Sequence, residues 1–150
     1  MRQWMTNPLI LCQKHLSGEH VEHHMFVGTL RKKRKINGYI NNDLMEPLSI
    51  CIRHDVLAWE LIRRQMIKNN GDIKELHQTW IDENEFNQLI EYLPDEQKHH
   101  RIDKQNSLNL LLSRCSICTN RYNELLHYSW FDPLSSYYLP PEYDYYTTIS

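Results

Sequence analysis

Apolar positions recur at helical spacing in three long stretches, separated by polar and turn-forming residues. The pattern predicts a first helix over residues 8–35, stopping near Asn37-Gly38, a strong stop signal. A second is predicted over residues 48–68, with Leu48, Ile52, Val56, Trp59, Ile62 and Met66 as its apolar positions and Asn69-Asn70-Gly71 as its end. A shorter helix is expected over residues 83–92, closed by Pro94. The third main helix is predicted over residues 103–120, with Leu108, Leu111, Leu112 and Cys115 on one face. The closing stretch, WFDPLSSYYLPPEYDYYTTIS, is rich in proline and tyrosine and has no helical period, so it lies on the surface or packs as an extended strap. No internal repeat is present. The expectation is an all-α fold: one compact domain, residues 1–150, around three main helices with long loops and an extended aromatic tail.

Composition narrows this picture. A chain of 150 residues is large enough for a single hydrophobic core. No apolar run approaches the ~20 residues that span a bilayer. The opening MRQWMTNPLILCQ lacks the features of a signal peptide. With no export signal, Cys12, Cys51, Cys115 and Cys118 read most simply as reduced thiols. A cytoplasmic, monomeric protein with no membrane partner and no cofactor is therefore expected. The net charge of −2 hides an asymmetry. Residues 1–68 carry 11 Lys/Arg against 6 Asp/Glu, and residues 69–150 carry 6 against 13. Arg31, Lys32, Lys33, Arg34 and Lys35 are consecutive, a cluster that attracts phosphates or else simply solvates a helix end.

The first helix breaks its own pattern. At about 100° per residue, His15, Glu19 and Glu22 fall within about 60° of one another, on the side shared by Cys12, Phe26 and Leu30. Charges on a core-facing side are costly unless paired. Such a helix either has an exposed, solvated end or carries a functional site. His20 and His24 stand at i, i+4, a spacing used by helical zinc pairs, but no third ligand is evident in the sequence. Cys115-Ser-Ile-Cys118 is a ligand pair that needs two more partners, which Cys12 and Cys51 could supply. Cys115 also continues an apolar face, so plain core thiols are the simpler reading.

The segment H15-L16-x-x-E19-x-x-E22, followed by V27-G28-x-x-R31-K32, resembles the first helix of the bacteriophage pyrimidine-dimer DNA glycosylase/AP lyases, the endonuclease V type of ultraviolet-damage repair enzyme. That family has H-L-x-x-E-x-R-E, then F-G-x-x-R-K and an Asn-Gly stop. Arg2 precedes His15 by the interval that separates the family's first arginine from its histidine. R53-H-D-V-L57-A-W-E60-L-I-R63-R64 resembles the family's second helix, and S107-L-N-L-L-L-S-R114 the start of its third. The match covers about half the chain.

The resemblance implies a compact helical fold and a mechanism that uses the chain's own α-amine. That amine attacks the anomeric sugar carbon, displaces the damaged base and forms an imine, and β-elimination then cuts the strand. An α-amine has a pKa of ~7.8 against ~10.4 for lysine, so it is far better supplied with the neutral form at pH 7. Arginine at position 2 should retain the initiator methionine, which makes the amine that of Met1, where the family presents a trimmed threonine. By the same resemblance Glu22 is the essential carboxylate, Glu19 its flanking glutamate, and His15 and Arg2 line the site. The partner implied is double-stranded DNA containing damaged pyrimidines. Lys14, Arg31, Lys32, Lys33, Arg34, Arg53, Arg63, Arg64 and Arg114 are the candidates for phosphate contacts. The sequence departs from the family at Val21 and Met25, which replace arginines, at Lys14-His15 in place of Gln-His, and at Glu142 and Asp144 in the tail. Val21 and Met25 favour an alternative, a non-catalytic DNA- or protein-binding module on the same scaffold. A third reading is a zinc-stabilised interaction domain built on Cys115 and Cys118.

Overall fold

The computed structural model describes residues 1–66 and 81–137. The predicted end of the second helix at Asn69-Asn70-Gly71 and the tail residues Glu142 and Asp144 lie outside them. Among the described residues there is no strand, and the fold is all-α as the periodicity predicts. A 3₁₀ turn, Pro8–Ile10, is followed by α1 (Gln13–Arg31), α2 (Asn37–Asn41), a second 3₁₀ turn (Pro47–Ser49), α3 (Ile50–Arg63), α4 (Glu83–Leu89), α5 (Asp95–Lys98), α6 (Lys104–Arg114) and α7 (Ser116–Leu125). No described helix is long and apolar enough to cross a membrane.

Helix boundaries differ from the periodic reading for local reasons. The first helix does not begin at Pro8. Asn7 caps a separate 3₁₀ turn through its side chain, Leu11 is extended, and α1 starts only after Cys12. It also ends before Asn37-Gly38. Lys33 takes a left-handed φ of 50°. Its amide reaches the Leu30 carbonyl at 2.9 Å and the Arg34 amide reaches Thr29 at 3.3 Å, the paired bonds of a Schellman stop. Asn37-Gly38 instead opens α2. The same device ends α3, where Gln65 has φ 61° and the Gln65 and Met66 amides each bond back at 2.9 Å. The third predicted helix is broken at Cys115, which is extended (φ −131°, ψ 109°) and caps α7 through its sulfur.

Two apolar clusters form the core. One gathers Trp4, Ile10, Leu11, Leu16, Leu57, Leu61, Leu108, Leu111 and Cys118. The other gathers Phe26, Leu30, Ile36, Met45, Ile50, Phe86 and Ile90. Both α1 and α3 run through the two clusters, and between them each helix contributes buried polar side chains: Glu19, His20 and His23 from α1, Arg53 and His54 from α3. The face predicted for the second helix is displaced. Val56 and Ile62 are buried, but Leu48 and Ile52 are exposed, while Ile50, Leu57 and Leu61 are buried instead.

The beginning of the tail lies against the first residues of the chain as a series of turns rather than an extended strap: the Ser135 amide donates to the Asp132 carbonyl at 3.2 Å and the Leu134 amide to Asp132 Oδ1 at 3.0 Å. The Pro133 and Asp132 carbonyls accept hydrogen bonds from the backbone and side chain of Asn7, at 2.9 and 3.0 Å. Ser136 donates its hydroxyl to the Met5 carbonyl.

Candidate active site

The first residues of the chain are held rather than frayed. Trp4 is buried, as an anchor against the first helix should be, and its carbonyl accepts the Ser107 hydroxyl at 2.6 Å. The Gln3 amide N–H donates to the Leu44 carbonyl at 2.8 Å. Met5 is fully buried with φ 59°, a conformation that a bulky residue keeps only where its surroundings impose it. Arg53 supplies part of that constraint by donating to the Thr6 carbonyl at 2.6 Å. These contacts bring the Arg2 amide to 3.0 Å from Glu22 Oε2. Three covalent bonds separate that nitrogen from the nitrogen of Met1, so the latter lies within about 7 Å of the Glu22 carboxylate. Met1 and Glu22 are both half-buried.

The Arg2 guanidinium lies over the Trp4 ring, 4.1 Å from its centroid. Its Nε is buried and has no hydrogen-bond partner among the described residues. Burial holds this guanidinium below its ordinary pKa; repulsion from nearby Arg114 adds to the effect, and Glu19, Asp43 and Glu22 oppose it. A cation drawn partly out of water beside a second, exposed cation is what an anion-binding surface requires.

His15 is placed differently from the expectation. Its ring packs edge-on to Trp4 at 5.6 Å, but its Nδ1 turns to sulfur, 3.2 Å from Cys12 and 3.6 Å from Cys118. Burial, then the neighbouring Lys14, lowers its pKa. Only Nε2 remains for any other contact.

Glu19 is not a substrate-facing group. It is 1% exposed, and both its oxygens accept from Arg53, at 2.7 and 3.0 Å. Arg53 is fully buried and also donates to the Ser136 carbonyl at 2.6 Å. It therefore cannot reach a DNA phosphate, and it leaves the list of phosphate contacts. Arg64 leaves it too: it bonds Glu60 at 2.7 Å and the Leu11 carbonyl at 2.6 Å, clamping the 3₁₀ turn to α3. Arg63 bonds the same carboxylate at 2.7 Å. Lys14, Arg31, Lys32, Lys33, Arg34 and Arg114 are exposed. Arg31 stands nine residues beyond Glu22, which is about 14 Å along the helix and half a turn around it. It lies 3.7 Å from Glu85 of α4. Glu22 stands midway along α1, with the basic run at the C-terminal end of the helix and Lys14 at its N-terminal end, so among these cations only Arg2, with Arg114 near it, lies beside Glu22.

The polar layer holds two histidine arrangements. His23 is fully buried. Its Nδ1 is 2.7 Å from the Glu19 carbonyl, so it carries the proton, and its Nε2 accepts from the Gln3 amide at 3.1 Å. Burial lowers its pKa to about 4, against smaller opposing effects from Glu19. The unfolded chain therefore binds the extra proton between about pH 6.5 and 4, and stability falls as the pH drops through that window. The shift corresponds to about 3 kcal/mol. Thermal melts of the wild type at pH 7 and pH 5, set beside those of His23→Gln, should show a smaller acid loss in the variant; equal losses would remove His23 from the account.

The second arrangement joins the i, i+4 pair His20 and His24 to His54 of α3, with ligand-capable nitrogens within 4.8 Å of one another. His54 Nε2 is 3.0 Å from His24 Nε2, and its Nδ1 is 2.9 Å from Asp55. Sequence spacing showed the pair but not its third member, which comes from another helix. Likewise Cys12, His15, Cys115 and Cys118 converge within 4.8 Å. Cys51, expected as a possible fourth partner, instead packs against the other apolar cluster, and burial pushes its thiol up to about 12.

Val21 and Met25, one helical turn apart, are about half exposed. They leave an apolar flank beside Glu22 where the resemblance would place arginines. No family model, curated protein or solved structure matches the chain.

Proposed function

We propose that the protein is a DNA glycosylase with AP lyase activity on damaged pyrimidines, cyclobutane dimers foremost. The observation that carries this reading is the hydrogen bond from the Arg2 amide to Glu22, which sets the start of the chain beside a half-buried carboxylate. The α-amine of Met1 is the nucleophile. It attacks the sugar's anomeric carbon, the bond to the base breaks, and the base leaves with its electron pair and a proton. Glu22 stabilises the positive charge that develops on the sugar. Loss of the amine proton and ring opening then give an imine. Glu22 removes a proton from the adjacent carbon, and the 3′ phosphate leaves by β-elimination. Arg2 and Arg114 hold the flanking phosphates, and a base must leave the stack for the amine to reach the sugar.

Duplex DNA carrying an abasic site, and ultraviolet-irradiated duplex, are the substrates for the test. Nicking of both with a 3′ unsaturated aldehyde is expected, with undamaged duplex intact. A protein that binds these duplexes and cuts neither would fit the alternative, a non-catalytic module, which the exposed Val21 and Met25 favour.

A further inference from the structure

We propose that Cys12, His15, Cys115 and Cys118 form a tetrahedral zinc site that ties the start of α1 to the start of α7. The two halves of the site are short motifs, C-x-x-H and C-x-x-C, about a hundred residues apart in sequence. Folding brings their four ligand atoms within 4.8 Å of one another. Zinc bonds of about 2.3 Å to sulfur and about 2.0–2.1 Å to nitrogen place tetrahedral ligands about 3.8 Å apart for two sulfurs and about 3.6 Å for sulfur and nitrogen. The Cys12 and Cys115 sulfurs are 3.9 Å apart, and His15 Nδ1 is 3.6 Å from Cys118 and 3.2 Å from Cys12. These separations leave room for an ion at the centre, and all three cysteines are free thiols rather than a disulfide.

The surroundings suit thiolates. Cys12 and Cys115 are the N-cap residues of α1 and α7, and the Cys115 sulfur caps α7 directly, so its positive helix end faces that sulfur. The Cys12 amide donates to Cys118 Sγ at 3.3 Å, and the Cys118 amide donates to Cys115 Sγ at 3.4 Å. Backbone donors of this kind orient metal ligands and balance their charge. Three thiolates and one neutral imidazole around a dication leave a single negative charge for these groups to offset. The break between α6 and α7 also acquires a reason, since a continuous helix would not turn Cys115 back as a cap. The ion would fix one nitrogen of His15 and, through the His15–Trp4 packing, help to hold the first residues of the chain. The inference does not depend on the proposed glycosylase activity.

The test uses the full-length chain with zinc and cobalt(II) as probes. One zinc per chain should survive dialysis against a weak chelator. Cobalt(II) should give the intense visible bands of a tetrahedral site, together with thiolate-to-cobalt charge transfer. Cys51→Ser should retain both signatures, and Cys115→Ser/Cys118→Ser should lose the charge transfer. Should the double variant not fold, a mercurial reagent added to the wild type should release the zinc stoichiometrically as the thiols react. No metal uptake, or cobalt bound without charge transfer, overturns the proposal, and the second outcome would place the metal at the His20, His24 and His54 trio. Zinc that stays bound after complete thiol modification also overturns it. Strand cleavage is scored separately, so failure of one reading leaves the other standing.

Discussion

Glu22→Gln is expected to lose base excision by about a hundred- to ten-thousand-fold, the range supplied by a well-placed acid–base group, while the fold stays intact. Glutamine is close to glutamate in shape, and its carbonyl oxygen can still accept the Arg2 amide that Glu22 Oε2 accepts at 3.0 Å. The missing property is the negative charge, which is needed twice: to face the cationic sugar and to take the proton for elimination. An abasic substrate needs only the second, so weak cleavage of it can persist. Single-turnover excision on a defined dimer, with melting curves beside it, is the measurement. Wild-type excision by Glu22→Gln would remove the residue from the mechanism. Loss of the melting transition would instead assign Glu22 to the fold.

Arg53→Met should lower stability by about 3–5 kcal/mol, the usual consequence of leaving one member of a buried ion pair alone. For a chain of this size that is about 10–15 °C in melting temperature. The guanidinium donates to four oxygens from three parts of the chain: both of Glu19, the Thr6 carbonyl and the Ser136 carbonyl. Its loss strands a buried carboxylate and releases both the N-terminal segment and the start of the tail. Combining Arg53→Met with Glu19→Leu removes the lone charge and should recover part of the loss. Activity should recover less, because the N-terminal segment is still unheld. Single and double variants melting together near the wild type would contradict the description of this layer.

The helical class was legible because the apolar period is strong, and Cys12, Phe26 and Leu30 are all buried as their shared side requires. Helix ends were less legible. Lysine and glutamine occupy left-handed positions where glycine or asparagine is the usual marker, so Lys33 and Gln65 gave no stop signal. The Glu19 and Glu22 face was visible as a break in pattern, but the two carboxylates have separate roles. Glu19 meets a buried arginine, while Glu22 faces the start of the chain. Nothing local distinguishes them, because the partner that neutralises Glu19 lies 34 residues away on α3. The same limit hid His54 beside His20 and His24, and hid His15 among the thiols. Metal-ligand spacing is readable within one helix, and the partner from a second helix is set by packing alone.

In the proposed mechanism the α-amine of Met1 attacks a sugar beside Glu22. Borohydride reduction of a mixture of protein and abasic-site duplex tests it most directly, because reduction converts an imine into a permanent crosslink. A one-to-one crosslinked species is expected, and it should disappear when the α-amine is acetylated or a residue is added before Met1, with duplex binding largely retained. A crosslink that survives either change would assign the nucleophile to a lysine, and the absence of any crosslink with the unmodified chain would contradict the mechanism.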